Sequence, residues 1–475
     1  MTLHRAAVAA TGIVLAGAMP VFAAEPSNAE LLERIERLEE QNRELEKALQ
    51  HGRTDEKTPA TATHPEQAGF QSLGTQERER TIGAQRKITA DVSLTAVAQS
   101  ANNGATTDNT GESELNYRAD VSVSLPAGEI GSAEGTLFGQ FRMGQGSGLD
   151  SLRPTFSGPN TTALPPVGDS QQENSTAFLA QAWYQLDIPL PPGDSGMQNR
   201  QGLTANFGKM DPFAFFDQNA AANDETQQFL NNVFVHNALL DAGGDVGADD
   251  DGFSPGMRLA YANETRKTGR YGLSLGIFGA GPGAEFHNTF SSPFVILQAE
   301  TLQKFFGGRD GNYRFYVWRN GQATPYQDGE DSNLEAHTGW GVSIDQRVAE
   351  SVTLFGRYGH ETAGQVQFDR ALALGAEVGG DYWNRAGDAL GLALGGQRVS
   401  SEFHDNSLTL DANGDGTPDF GYQASGTERV TEMYYRYRLN RQFELTPDVQ
   451  LIQRPGGDGA APNMTLWGVR AQMTF

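Results

Sequence analysis

The chain has 475 residues, with 59 acidic side chains against 35 basic ones, a formal charge of -24 and no cysteine. That charge excludes nucleic acid and a polybasic membrane surface as partners. The missing thiols exclude disulfides, thiolate metal sites and a lipid-modified N-terminal cysteine.

The N-terminus, MTLHRAAVAATGIVLAGAMPVFAAEPS, has a basic start at Arg5, an apolar run from Ala6 to Met19 and small residues before Ala23. This pattern predicts a secretory signal peptide over 1–23. Residues 28–50 place Leu31, Ile35, Leu38, Asn42, Leu45 and Leu49 at alternating steps of four and three, the seam of a short coiled-coil helix with Asn42 at an a-type position. No second heptad strand follows, so the coil is expected between copies of the chain, its register fixed by the buried Asn. Residues 51–83 are polar, contain proline and show no period, as a flexible linker does. No apolar run after the signal is long enough for a spanning helix, so a membrane-integral mature chain has to be a closed barrel.

From about residue 84 the hydrophobic period changes to two. Sixteen strands are predicted, beginning near 84, 113, 132, 175, 201, 254, 270, 293, 310, 337, 351, 370, 387, 427, 442 and 462, with the 293 segment also readable as helix. Short connections alternate with long Gly/Asp/Asn-rich ones near 100–112, 144–174, 211–253 and 401–426. One face of each strand is apolar: Phe178, Ala180, Ala182, Tyr184, Leu186 and Ile188 in one row, Leu390, Leu392 and Leu394 in another, and Trp467, Val469, Ala471, Met473 and Phe475 at the end. The opposite rows carry Arg, Asp, Glu, Gln, Trp and Tyr, and burying so many charges in a dry core would cost several kcal/mol per unpaired ion. The polar face must be wet. These features predict an all-β, 16-stranded antiparallel outer-membrane β-barrel over 84–475, preceded by the coiled-coil helix.

Three blocks then resemble the carbohydrate-selective porin (OprB) family. FGKMDPFAFFDQNAAANDETQQFLNNVFVHN (207–237) resembles a Gly-Lys-x-Asp strand end running into Phe-Asp-x-Asn, Asn-Asp-Glu and Gln-Phe-Leu-Asn, here Gly208, Lys209, Asp211, Phe216, Asp217, Asn219, Asn223, Asp224, Glu225, Gln228, Phe229, Leu230 and Asn231. RAGDALGLALG (385–395) and TEMYYRYRLNRQFELTPDVQLIQRPGG (431–457) with the closing GVRAQMTF resemble the family's last strands. The resemblance implies facilitated diffusion of mono- or small oligosaccharides through a water-filled channel in the outer membrane of a Gram-negative bacterium. It also implies a terminal Phe read during assembly, and homo-oligomers, among which trimers are common in porins. The helix at 28–50 departs from the simplest members; in the periplasm it would clamp a trimer or contact peptidoglycan. Carbohydrate solutes and outer-membrane lipid are the expected partners.

A sugar offers apolar ring faces and a rim of hydroxyls, so a preferring channel needs aromatic faces and charged or amide groups, none binding too tightly. Strand parity nominates Trp183, Trp318, Tyr316 and Tyr434 for stacking. It nominates Arg118, Arg142, Arg314, Arg357, Arg436, Arg438, Arg470, Asp120, Asp187 and Glu432 for hydrogen bonding. Residues 217–231 read as a short helix or compact loop capped at Asn223, either a constriction folded into the lumen or a structural plug. DANGDGTPDFGY places Asp411, Asn413, Asp415 and Asp419 at positions 1, 3, 5 and 9 of a calcium loop, but Tyr422 stands where the bidentate Glu belongs. No other cofactor is expected. No nucleophile elbow, zinc helix or phosphate loop is present, so an enzyme is not expected. The alternatives are an envelope tether that uses the barrel as an anchor, and a general or anion-selective pore.

Overall fold

The computed structural model describes residues 88–164, 175–190, 201–240, 252–266, 269–281, 284, 289–327 and 333–475. The expected signal peptide, coiled-coil helix and linker lie outside them. In the first half of the chain the strands are β1 (Thr89–Ala101), β2 (Glu112–Ile130), β3 (Ala133–Gln145), β4 (Thr176–Pro189), β5 (Gln201–Met210), β6 (Ser254–Asn263), β7 (Arg270–Phe278) and β8 (Phe294–Phe305). The second half supplies β9 (Arg309–Ala323), β10 (Glu335–Ala349), β11 (Val352–Ala363), β12 (Phe368–Gly379), β13 (Ala389–Val399), β14 (Thr427–Arg438), β15 (Phe443–Gln453) and β16 (Met464–Thr474). Each pairs antiparallel with its neighbours, and β1 also pairs with β16, so the sheet closes into a barrel. The segment at 293 is strand β8. Among the described residues no helix is long and apolar enough to cross a membrane; backbone hydrogen bonds are satisfied between strands instead.

Closure is completed by the last residue. Phe475 donates its N–H to Val92 O at 2.9 Å and accepts from Val92 N at 3.3 Å, while its ring points outward, 63% exposed. Outward positions at mid-strand are mostly apolar: Phe315 and Val317 on β9, Leu372 and Leu374 on β12, Leu392 and Leu394 on β13, Trp467 and Val469 on β16 are all exposed. A lipid exterior makes that exposure favourable.

One predicted row is corrected. Ala182, Tyr184, Leu186 and Ile188 face out, but Phe178 and Ala180 do not. Gln140 opposes Gln181 while the next residue, Phe141, opposes Leu179, so Ala180 is the extra residue of a β-bulge. Beyond it the parity of β4 inverts: Ala177 and Leu179 point outward, and Phe178 turns in toward Phe253.

The turns at 131–132, 306–308 and 350–351 are short, and β1 begins and β16 ends at that same end. The other end carries the long connections 146–175, 211–253, 279–293 and 400–426. In outer-membrane barrels the short turns are periplasmic and the long loops extracellular.

Candidate functional site

Between β5 and β6 the chain turns into the lumen. Residues 211–240 include a 3-10 turn at Pro212–Ala214 and one short helix, α1 (Asn232–Val235), capped by Asn231, whose side chain accepts from Val233 N. The expected cap at Asn223 is not used. There the Asp224 side chain accepts from Thr226 N at 2.9 Å and closes a turn instead.

Inward side chains all around the wall grip this insertion. Asp217, fully buried at a φ of 55°, accepts from Tyr316 OH at 2.8 Å and from Asn237 N at 2.6 Å and pairs with Arg357 Nε at 3.0 Å. Arg357 also donates to Phe234 O at 2.6 Å and to Asp217 O at 2.9 Å. Further round the wall, Glu432 on β14 accepts from Leu230 N at 2.6 Å and Asn231 N at 3.0 Å, and Arg470 on β16 donates to the Glu225 and Gln228 carbonyls at 2.8 and 2.7 Å. Phe229 packs among Phe234, Phe355 and Tyr434. Two wall glycines permit the approach: a Cβ at Gly359 would lie 2.4 Å from Asn237 Oδ1, and one at Gly395 would lie 2.6 Å from Val233 Cγ1.

A second inward segment, 154–164, rests on the first. Thr161 N donates to Leu230 O at 2.9 Å, and Asn232 N donates to Gly158 O at 2.9 Å. The carbonyl of Pro159 accepts from Gln99 and Gln450 at 3.1 and 2.9 Å. The buried carboxylate of Glu428 accepts from Phe156 N, Ser157 N and Gly456 N at 2.9, 3.0 and 2.7 Å.

All fourteen residues nominated for the lumen point inward, but they do different things there. Tyr316, Tyr434, Trp183, Trp318, Arg118, Arg314, Arg357, Arg470 and Glu432 are buried. Of these, Tyr316, Arg357, Arg470, Glu432 and Arg118 bond the insertion directly, Tyr434 donates to Glu377 at 2.6 Å, and Arg314 joins Asp345 at 3.0 Å. Arg436, also buried, bonds Gln227 O at 3.3 Å, and Asp187 accepts from Gln185 and Thr204 at 2.8 and 2.7 Å. Half-open to the lumen are Arg142 and Arg438, the latter paired with Glu444.

Across from the insertion the wall carries a continuous polar chain. Arg118 and Arg142 share Asp120 at 3.0 and 2.7 Å, Gln140 reaches the same carboxylate at 3.3 Å, Gln181 donates to Gln140 at 2.7 Å, and Trp183 Nε1 donates to Gln181 at 3.2 Å. The insertion meets it through Glu225, 2.7 Å from Arg118. Burial works against ionisation of Glu225, yet the guanidiniums of Arg118 and Arg142 outweigh it and hold its carboxyl below the usual carboxylate range. Burial and the Glu225 charge push the neighbouring Asp224 above that range. The edge Asn223–Gln227 and the wall residues Phe138, Gln140 and Arg142 are the partly exposed surfaces of this region.

The turn at 411–419 is exposed. Asp411 accepts from Asp415 N and Gly416 N at 3.0 and 2.8 Å, Asn413 from Asp415 N at 3.0 Å, Asp415 from Thr417 N at 2.7 Å, and Asp419 from Ala412 N at 2.9 Å. Among the described residues no group of three or more His, Cys, Asp or Glu is arranged to hold a metal ion. Sequence reasoning placed Asp217 at the start of the 217–231 block but not its wall partners, and it passed over Glu428 and the whole 154–164 segment. Strand parity carries no signal for a loop that folds inward.

Comparison with known proteins agrees with this architecture. The high-pH structure of Pseudomonas putida OprB superposes with a TM-score of 0.62 at 17% identity, covering 84% of this chain and 96% of that one. The outer membrane channel DcaP of Acinetobacter baumannii matches with a TM-score of 0.48 at 11% identity, covering 82% and 97%. At these identities the likeness concerns the fold alone, and the first structure carries it. No curated protein sequence matches the chain. The model of the carbohydrate-selective porin, OprB family, matches residues 140–475. With a closed sixteen-stranded barrel and a lumen narrowed by two inward segments, the chain belongs to the carbohydrate-selective porin, OprB family, a family of outer-membrane channels.

Proposed function

We propose that small neutral sugars cross the barrel through the gap between the insertion edge Asn223–Gln227 and the wall surface formed by Phe138, Gln140 and Arg142. The observation that carries this reading is the pairing of lumen charge. Arg118, Asp120, Arg142 and Glu225 form one mixed-sign group, Arg314 with Glu300 and Asp345 another, and Arg436, Arg438, Glu377 and Glu444 a third. Paired charges offer donors and acceptors to hydroxyls without the one-sign ladder that would concentrate an ion. Phe138, stacked on Trp183 with centroids 4.6 Å apart, supplies an aromatic face beside them. Liposome swelling tests the reading: glucose should enter faster than gluconate, a sugar acid of similar size. Entry of gluconate at an equal or greater rate would reject it.

We also propose that residues 28–50 join copies of the chain on the periplasmic side, where the start of β1 supports placing them, with a trimer or a peptidoglycan contact as the outcome. Deleting 28–83 should abolish crosslinking between copies while leaving sugar entry intact. An envelope tether would instead lose envelope integrity.

A further inference from the structure

We propose that the outer face of β12–β14, at the long-loop end, is a binding site for the phosphate groups of an anionic glycolipid in the outer leaflet. Three arginines there break the apolar pattern of the lipid-facing surface. Arg370 on β12 lies directly opposite Arg398 on β13, and Arg429 on β14 lies opposite Gly396, one step diagonally from Arg398. All three share outward parity with exposed apolar residues of their own strands: Arg370 with Leu372 and Leu374, Arg398 with Leu392 and Leu394, Arg429 with Met433. None faces the lumen.

Like charges directly opposite across two strands sit about 5 Å apart at Cβ and destabilise the pair. Among the lumen arginines, Arg118, Arg142, Arg314, Arg357, Arg436 and Arg438 are each matched by a carboxylate. Here, among the described residues, none of the three guanidiniums has a hydrogen bond or an ion pair. Asp369, the neighbouring acid in sequence, sits in the bulge between Phe368 and Arg370 and bonds neither guanidinium. No described residue supplies the anion that would relieve the repulsion, which points to one from outside the chain.

Position narrows its identity. The three residues stand at the extracellular ends of their strands, with the exposed leucines of β12 and β13 directly below. His360 lies opposite Arg370 on β11 and contacts Trp340, an aromatic pair on the same outer face. Guanidiniums above leucines, flanked by a Trp, match a phosphate headgroup above acyl chains, and Arg presents the fork geometry that phosphate accepts bidentately. Gly396 contributes no side chain between Leu372 and Arg429, which leaves room for a headgroup between the three cations.

The test uses the full-length protein in detergent and bisphosphorylated lipid A as the probe, with retained lipid counted by native mass spectrometry. Wild type should retain lipid A, and dephosphorylated lipid A should bind at least about tenfold more weakly for each phosphate removed. Arg370→Gln/Arg398→Gln/Arg429→Gln should lose binding while conductance stays at the wild-type value, because none of the three lines the channel. Arg398→Gln alone, which removes the central cation, should weaken binding about tenfold and serves if the triple variant does not assemble. Equal retention of lipid A by the variants, or equal binding of the dephosphorylated lipid, would overturn the proposal. Displacement of lipid A by an equimolar amount of inorganic phosphate would overturn the lipid as occupant.

Discussion

Replacing Arg357 by Ala should undock the insertion without opening the barrel. Arg357 spans the insertion's two halves, bonding Asp217 at its start and Phe234 O near its end. The substitution removes these bonds and leaves the Asp217 carboxylate fully buried, with Tyr316 OH and Asn237 N its remaining donors among the described residues. Removing one partner of a buried ion pair costs about 3–5 kcal/mol, which shifts the docked-to-undocked equilibrium by about two to three and a half decades. The barrel's own ladders make no use of this pair, so migration of the unheated protein in denaturing gels should stay that of a folded barrel. Single-channel recording should show a larger or strongly fluctuating conductance. Asp217→Asn/Arg357→Met, which removes both charges, should be quieter than Arg357→Ala, because the uncompensated carboxylate is gone. A quiet, wild-type conductance from Arg357→Ala would refute the claim that this pair holds the constriction. So would a double variant noisier than the single one.

Other perturbations have equally definite outcomes. Asp224, pushed up by burial and by Glu225, should lose its charge first on acidification, while Glu225, held down by Arg118 and Arg142, should keep its charge below the usual carboxylate range. Cation over anion selectivity, read from reversal potentials, should therefore fall in two separated steps, and Glu225→Gln should abolish the lower one. Gly395→Val would place side-chain atoms where Val233 already sits 2.6 Å from a Cβ; overpacking of this kind costs about 1–3 kcal/mol, and it should widen the conductance distribution. Glu428→Gln keeps one acceptor oxygen and leaves buried backbone donors among Phe156, Ser157 and Gly456 facing an amide, at about 1–3 kcal/mol. Hydrogen exchange at those amides should quicken by about one to two decades.

The barrel was legible because its period of two is imposed by physics on both faces: lipid outside, water inside. Predicted starts for β2 to β16 fall within a few residues of those observed, and the first strand begins five residues later than expected at Thr89. Parity failed only at Ala180, where a bulge leaves no trace in the alternation of apolar residues. The inward direction of Arg357, Tyr316 and Glu432 could be read from their strands, but their partners could not. Asn223 and Asn231 are equally good caps locally; Asn231 is used because Glu432, 201 residues away in sequence, holds its N–H. The segment 154–164 was opaque for the same reason, since Gln450 lies 291 residues beyond Pro159, whose carbonyl it binds.

The central claim is that neutral sugars pass, and briefly bind, beside the edge Asn223–Gln227. Single-channel conductance of the refolded protein in a planar bilayer, titrated with glucose and small oligosaccharides against phosphate and salt controls, tests it most directly. A saturable fall in ion current with sugar, weakened in Arg142→Gln, is the predicted result. A steady current that no sugar alters would contradict it.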